Sequence, residues 1–318
     1  MKVLAIYTGR KEQYSEYLAK TALMGARDEG MEVQAVNLLD LTLKPCIGCK
    51  FCHMFENGTN GDCVLKDDMA WLDEQIYEAD GIIVCLPIYE KTVPGEFKIL
   101  MDRTGPSHDL SFREHMVKLR QEGKVKNPKP VDERSFKRRP ITFIAHGGTD
   151  WGSLAMPVME LWAIPMGFQL VNMLELPWNI QIFFEEDRIR QVYEAGKQVA
   201  EAVRQKAEHP EMSVEYKGTE GYCPVCHSST FVLKNWIDVE CAVCSVKGTI
   251  HIENGKMKCE FDPLELAMSQ MLDGGRQKHL NDINGFAAKI FSMDFMKLAQ
   301  MKAEHMRWLP SSKPVKDE

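Results

Sequence analysis

GIIVCLPIY, residues 81–89, is apolar at nearly every position and ends in a proline followed two residues on by a tyrosine. A strand with one wet face alternates polar and apolar residues, so an unbroken run of this length predicts a strand covered on both faces, as in a parallel sheet. ITFIAHGG (141–148) repeats the design, and VLAIYTG (3–9) is a shorter version of it. MEVQAVNLL (31–39) alternates as a strand, while helical patterns run through Tyr17, Leu18, Ala22 and Met24, over 69–80 and over 189–207. Strands alternating with helices predict an α/β fold with a doubly wound parallel sheet, whose ligands bind beyond the carboxyl ends of the strands. The turns after Tyr7, Leu86 and Ala145 are therefore the places to look for a site.

The 318 residues suffice for such a domain plus an appendage, without disulfides to hold the core. A net charge of −7 argues against a general nucleic-acid binder, and no apolar run approaches the ~18 residues of a membrane span. The first apolar run is too short for the core of a signal peptide, so the chain is expected in the cytoplasm, where thiols stay reduced. Ten cysteines in that compartment point to metal rather than to disulfides.

Those cysteines fall into two groups. Cys46, Cys49 and Cys52 follow C-x2-C-x2-C spacing, with Cys63 closing a set of four inside eighteen residues. One tight loop then presents its thiolates to a single centre, and four thiolates suit a 4Fe–4S cluster. Zinc is the rival, although four-cysteine zinc sites usually come as two separated knuckles, and a set of bare thiols is the third reading. The second group has that separated form: Cys223 and Cys226, then Cys241 and Cys244, with fourteen residues between the pairs. Two knuckles clamping one ion predict a zinc ribbon, with a rubredoxin-like iron centre as the alternative. Cys85 reads as a small buried residue of a strand, and Cys259 has no evident partner.

The three turns carry the remaining chemistry. Thr8-Gly9-Arg10-Lys11-Glu12-Gln13-Tyr14-Ser15 joins a strand to a helix, and hydroxyls and amides at a helix N-terminus make an anion site; Thr8, Arg10 and Ser15 are the phosphate candidates. Pro87 and Tyr89 stand just past a buried strand end, at the height of a planar cofactor. AHGGTDWG (145–152) supplies unobstructed backbone amides and His146 as a donor.

Residues 1–207 are expected to form the sheet domain, with the cysteine loop at 45–63. Within 106–139 the pattern breaks: residues 111–139 hold ten Lys/Arg against four Asp/Glu, with Pro128 and Pro130. A stretch of that length and charge is expected to be a lid, an oligomer arm or a mobile insert, against the plainer reading of a solvated helix and loop. A polar linker (208–221), the ribbon (222–260), a hairpin at Glu253-Asn254-Gly255 and a Met-rich helical tail (261–318) follow. The tail's methionines are read either as oligomer contacts or as plain core.

Taken together, TGRKEQYS, CIGCKFC…C followed by KDDM (66–69), LPIY and GEFKILMDR (95–103) resemble, in order and spacing, the iron–sulfur flavoprotein branch of the NAD(P)H-dependent FMN reductases. The resemblance implies a flavodoxin-like fold. It implies a cofactor set of Thr8, Gly9, Arg10, Gln13, Tyr14 and Ser15 around the FMN phosphate, with Pro87, Ile88, Tyr89, Glu90, His146, Gly147 and Gly148 around its ring, and Tyr89 and His146 orienting flavin or substrate. It further implies a 4Fe–4S cluster on Cys46, Cys49, Cys52 and Cys63, and homo-dimers or homo-tetramers with flavin near the interfaces. The gap from Cys52 to Cys63 is longer than the family's usual one. The expected activity is an FMN-dependent oxidoreductase moving electrons between NAD(P)H or a ferredoxin-type donor and a small acceptor, with 111–139 as a lid for an anionic substrate or the NAD(P)H phosphates. The rivals are an electron carrier docking a redox protein, a cluster-free flavin reductase with structural zinc only, and a non-redox scaffold with zinc in both cysteine groups.

Overall fold

The protein is described here from a computed structural model, which covers residues 1–53, 61–125 and 130–308. Strands β1 (Lys2–Tyr7), β2 (Glu32–Asn37), β3 (Gly81–Pro87), β4 (Pro140–His146) and β5 (Gln169–Leu176) form one parallel sheet in the order β2-β1-β3-β4-β5. Every residue of β3 and β4 is buried, as two covered faces require. Helices α1 (Tyr14–Asp28) and α6 (Glu186–Glu208) cover one face; α2 (Met69–Glu78), α3 (Gly95–His108) and α5 (Ala155–Met166) cover the other.

The two faces are packed by different means. On the first, glycines bring α1 and α6 into backbone contact: a Cβ on Gly25 would lie 2.0 Å from the Tyr193 carbonyl oxygen, and one on Gly196 would lie 1.8 Å from that of Ala22. On the second, Trp162 is fully buried, donates from Nε1 to Thr104 Oγ1 (2.8 Å) and meets Phe97 and Phe168 edge-on, so its polar handle is satisfied within an apolar layer. Neither α5 nor β5 stands out in the sequence. Pro165 lies inside the helix. β5 is an edge strand carrying Asn172, whose buried amide donates to Gln198 Oε1 (2.7 Å).

The described part of the basic stretch is folded, with several of its side chains buried. It forms α4 (Leu110–Gln121), with Leu110, Phe112 and Met116 buried, and a 3-10 turn at Glu133–Phe136; residues 126–129, with Pro128, lie outside the described residues. Arg139 is buried immediately before β4 and donates to the carbonyls of Ala79 (2.7 Å), Tyr77 (2.8 Å), Arg134 (3.0 Å) and Lys137 (3.0 Å). Lys137 pairs with Asp80, just ahead of β3, and Arg134 with Glu74 and Asp132. Residues 132–139 therefore sit at the amino ends of the strands. Their charge closes backbone and acidic groups there.

Strands β6 (Phe231–Leu233), β7 (Asp238–Cys241), β8 (Lys247–Glu253) and β9 (Lys256–Glu260) make an antiparallel sheet. Asn254 (φ 51°) and Gly255 (φ 75°) turn β8 into β9, the left-handed pair that a two-residue hairpin demands. The segment expected as a linker is held along the outer edge of β5, where the Lys217 amide donates to the Val171 carbonyl (2.7 Å). Helices α7 (Pro263–Ala267), α8 (Asp273–Phe291) and α9 (Phe295–Trp308) follow. Met271 packs against the apolar clusters of the sheet domain and the ribbon, whereas Met293, Met296, Met301 and Met306 are exposed. Among the described residues no helix is long and apolar enough to cross a membrane.

Candidate active site and metal centres

The turn after β1 has the makings of an anion cradle. The first amides of α1 have no intrahelical acceptor, and no side chain caps the helix at Gln13. Thr8 is buried, and its Oγ1 has no hydrogen-bond partner. A Cβ on Gly9 would come within 2.8 Å of Ser15 Oγ, so glycine keeps the turn open beside that hydroxyl. Asn37 Nδ2 donates to the Gly9 carbonyl (2.8 Å) and holds the turn from β2. Buried hydroxyls and unspent amides, with exposed Arg10 nearby, fit a phosphate. Two more members of the predicted set lie on the same turn. Tyr14 stacks on Phe183 with ring centroids 4.8 Å apart and donates to the Ile180 carbonyl (3.1 Å), and Gln13 is exposed.

His146 is enclosed by the protein. It is 3% exposed at the end of β4, with Nε2 2.9 Å from Ser15 Oγ and Nδ1 2.7 Å from Asn179 Nδ2. Both ring nitrogens are therefore committed within the protein, and burial alone pulls its pKa down to about 4. His146, expected to orient flavin or substrate, has its side-chain contacts with Ser15 and Asn179.

Beyond the strand ends lies a rim of exposed aromatics. Pro87 is buried in β3; Tyr89 and Thr92 exchange backbone hydrogen bonds (both 3.0 Å) around Glu90 and Lys91, which adopt left-handed φ of 46° and 70°. This tight turn leaves the Tyr89 ring exposed. Ile88 packs beneath the third turn, where a Cβ on Gly147 or Gly152 would lie 3.3 Å or 2.6 Å from its Cδ1. Lys91 lies over the Trp151 ring, 5.2 Å from its centroid, and the Leu154 amide donates to the Lys91 carbonyl (3.1 Å). The Asn179 amide donates to the Gly147 carbonyl (3.0 Å) and so brings exposed Trp178 to the same edge. Trp151, Trp178 and Asn179 are absent from the sequence-based set. WG at 151–152 and PWN at 177–179 are their only local signals.

Cys46, Cys49, Cys52 and Cys63 line one small cavity, with Arg103 of α3 in its wall. Burial, followed by the neighbouring cysteines, pushes the Cys52 thiol up to about 11. The loop is clamped at its base. Arg103 donates through Nη1 and Nη2 to the two carboxylate oxygens of Asp67 (2.7 and 3.1 Å) and through Nη1 to the Lys44 carbonyl (2.8 Å). Asp67 also accepts from the amides of Lys44 (2.8 Å) and Met69 (3.2 Å). Burial favours the neutral acid, yet Arg103 and the two amides outweigh it and hold the Asp67 pKa down at about 2. Residues 54–60, most of the long gap before Cys63, lie outside the described residues.

The second group is tighter. All four sulfurs of Cys223, Cys226, Cys241 and Cys244 are buried and lie within 4.8 Å of one another, with Cys223–Cys244 and Cys226–Cys241 both at 3.5 Å. Sulfurs at the corners of a tetrahedron with ~2.3 Å metal bonds stand about 3.8 Å apart, so this set fits one ion. The knuckles match each other. The amides of His227 and Ser245 donate to the carbonyls of Cys223 (2.9 Å) and Cys241 (3.1 Å), and both residues adopt φ of 62°. The ribbon packs on the sheet domain: Ile164 of α5 joins its apolar cluster, and His227 stacks on Tyr216 with centroids 3.8 Å apart.

Residues 1–172 match the profile of the family described as NADPH-dependent FMN reductase. The chain is 28% identical over 258 residues to a flavone synthase of Aspergillus candidus, covering 76% of this chain and 77% of that protein. It is 37% identical over 107 residues to an iron–sulfur flavoprotein of Methanocaldococcus jannaschii, 33% of this chain and 53% of that one. A solved flavone reductase superposes with a TM-score of 0.84 at 28% identity, covering 99% of this chain and 100% of the other.

Proposed function

This chain belongs to the NADPH-dependent FMN reductase family and is a flavin-dependent oxidoreductase, and on that premise we propose that it acts on a planar conjugated ketone of the flavone type. The reaction adds a hydride and a proton across the carbon–carbon double bond beside the carbonyl: flavone + NAD(P)H + H⁺ gives flavanone + NAD(P)⁺. The full-length similarity to a flavone reductase carries this reading. FMN, when bound, supplies the two-electron hydride relay between nicotinamide and substrate.

The chain's own residues divide the remaining work. Thr8, Gly9, Arg10, Ser15 and the first amides of α1 hold the phosphate. Pro87, Ile88, Tyr89, Glu90, Gly147 and Gly148 border the ring. Exposed Tyr89, Trp151 and Trp178 offer π faces at the same sheet edge, on which a flat aromatic substrate stacks and from which it excludes water. Cys46, Cys49, Cys52 and Cys63 would hold a 4Fe–4S cluster, a reading supported by their shared cavity and by the iron–sulfur flavoprotein relatives. Cys223, Cys226, Cys241 and Cys244 would hold structural zinc. In this reading 1–207 carries the flavin and 222–260 is the ribbon, docked by way of 208–221.

Anaerobic turnover tests the proposal. NAD(P)H oxidation should depend on added flavone and yield a product two hydrogens heavier, with iron, sulfide and zinc counted on the same sample. NAD(P)H oxidation that ignores flavone while a reduced redox protein or a quinone exchanges electrons rapidly would favour the carrier reading instead.

A further inference from the structure

We propose that His146 and Asn179 are positioning residues for the phosphate end of the cofactor, acting through Ser15: together they fix the Ser15 hydroxyl as a hydrogen-bond donor to the phosphate. The inference rests on the reading that FMN phosphate sits at the turn after β1.

An amide nitrogen such as Asn179 Nδ2 only donates, so its 2.7 Å contact makes His146 Nδ1 an acceptor. A neutral imidazole with an accepting Nδ1 carries its proton on Nε2. That proton is given to Ser15 Oγ at 2.9 Å. With its oxygen already accepting, the Ser15 hydroxyl hydrogen turns elsewhere, at the N-terminus of α1 and next to Gly9 of the turn that also carries the unpartnered Thr8 Oγ1. A phosphate oxygen is the acceptor such a group lacks. The relay spans three segments distant in sequence, at Ser15, His146 and Asn179. The last is held by its own amide on the Gly147 carbonyl (3.0 Å). Burial keeps the ring neutral, with its pKa at about 4, so the relay does not reverse in the neutral range.

The test compares FMN with riboflavin, which has the same ring and no phosphate. Full-length protein stripped of flavin is titrated with each by fluorescence quenching. Wild type should prefer FMN. Ser15→Ala, His146→Phe and Asn179→Ala should each lower FMN affinity by about tenfold or more, as loss of a hydrogen bond to a charged group does, and leave riboflavin affinity unchanged. His146→Gln retains a donor and should recover part of the preference. Ser15→Ala combined with His146→Phe should be no worse than Ser15→Ala alone. The inference is overturned if His146→Phe and Asn179→Ala weaken both flavins equally, or leave the FMN preference intact while Ser15→Ala abolishes it. A wild type that binds both flavins equally well would overturn the phosphate placement itself.

Discussion

Arg103→Ala should loosen the base of the cysteine loop and cost the fold about 3–5 kcal/mol, the usual consequence of stranding one partner of a buried ion pair. The side chains of Arg103 and Asp67 are 1% and 0% exposed, so truncation strands a carboxylate inside the protein. Two backbone amides, from Lys44 and Met69, would remain on it. The Lys44 carbonyl would lose a donor at the same time. A loss near 3 kcal/mol is a large share of a stability of roughly 5–15 kcal/mol and lowers the melting temperature by about 6–12 °C in a domain of this size. Thermal melts of Arg103→Ala, Asp67→Asn and the double variant form a double-mutant cycle. The double variant should be little worse than Arg103→Ala alone, and both single variants should hold less iron per chain. Strict additivity, or single losses below about 1 kcal/mol, would refute the clamp.

Acid should act on the same pair. Because the Asp67 pKa is held down at about 2, below an unfolded value of ~3.9, its stabilisation is present above pH ~4 and is lost as pH falls toward 2; melts across that range should show a slope that Asp67→Asn flattens. Gly196→Ala forces a Cβ to within 1.8 Å of the Ala22 carbonyl oxygen and should cost about 3 kcal/mol in urea unfolding by prising α1 from α6. Gly285→Ala, with nothing within 4 Å, should be neutral or stabilise by about 0.5–1 kcal/mol. Cys244→Ser should lower the metal content by one single-ion equivalent in elemental analysis and leave the flavin content unchanged.

The parts of this protein legible in its sequence are those whose physics is local. A strand covered on both faces must be apolar throughout, and β3 and β4 are. Cysteine pairs at x2 spacing have few structural uses, and the buried quartet at 223–244 fits one of them. Asn254-Gly255 needs left-handed backbone and adopts it. What could not be read depends on distant partners. β5 is a strand by virtue of β4 beside it, despite Asn172 and Glu175 in its sequence. The charges of 132–139 suggested solvent or substrate, yet Arg139 spends its donors on carbonyls from three other positions and one neighbour. His146 was legible at the end of its strand, while its contacts with Ser15 and Asn179 depend on residues far away in the sequence. Asn179 and the aromatic rim come to the site through backbone bonds from 147 and 91.

The claim on which the rest depends is that electrons leave this flavoprotein for a flavone. It is tested most directly in one anaerobic stopped-flow experiment, mixing the fully reduced protein with a slight excess of flavone in the absence of NAD(P)H. Flavin absorbance should return in step with the loss of flavone absorbance, with one flavanone formed per flavin oxidised. A flavin that stays reduced with the flavone unchanged, in protein that still passes electrons to a quinone or a ferredoxin, would contradict it.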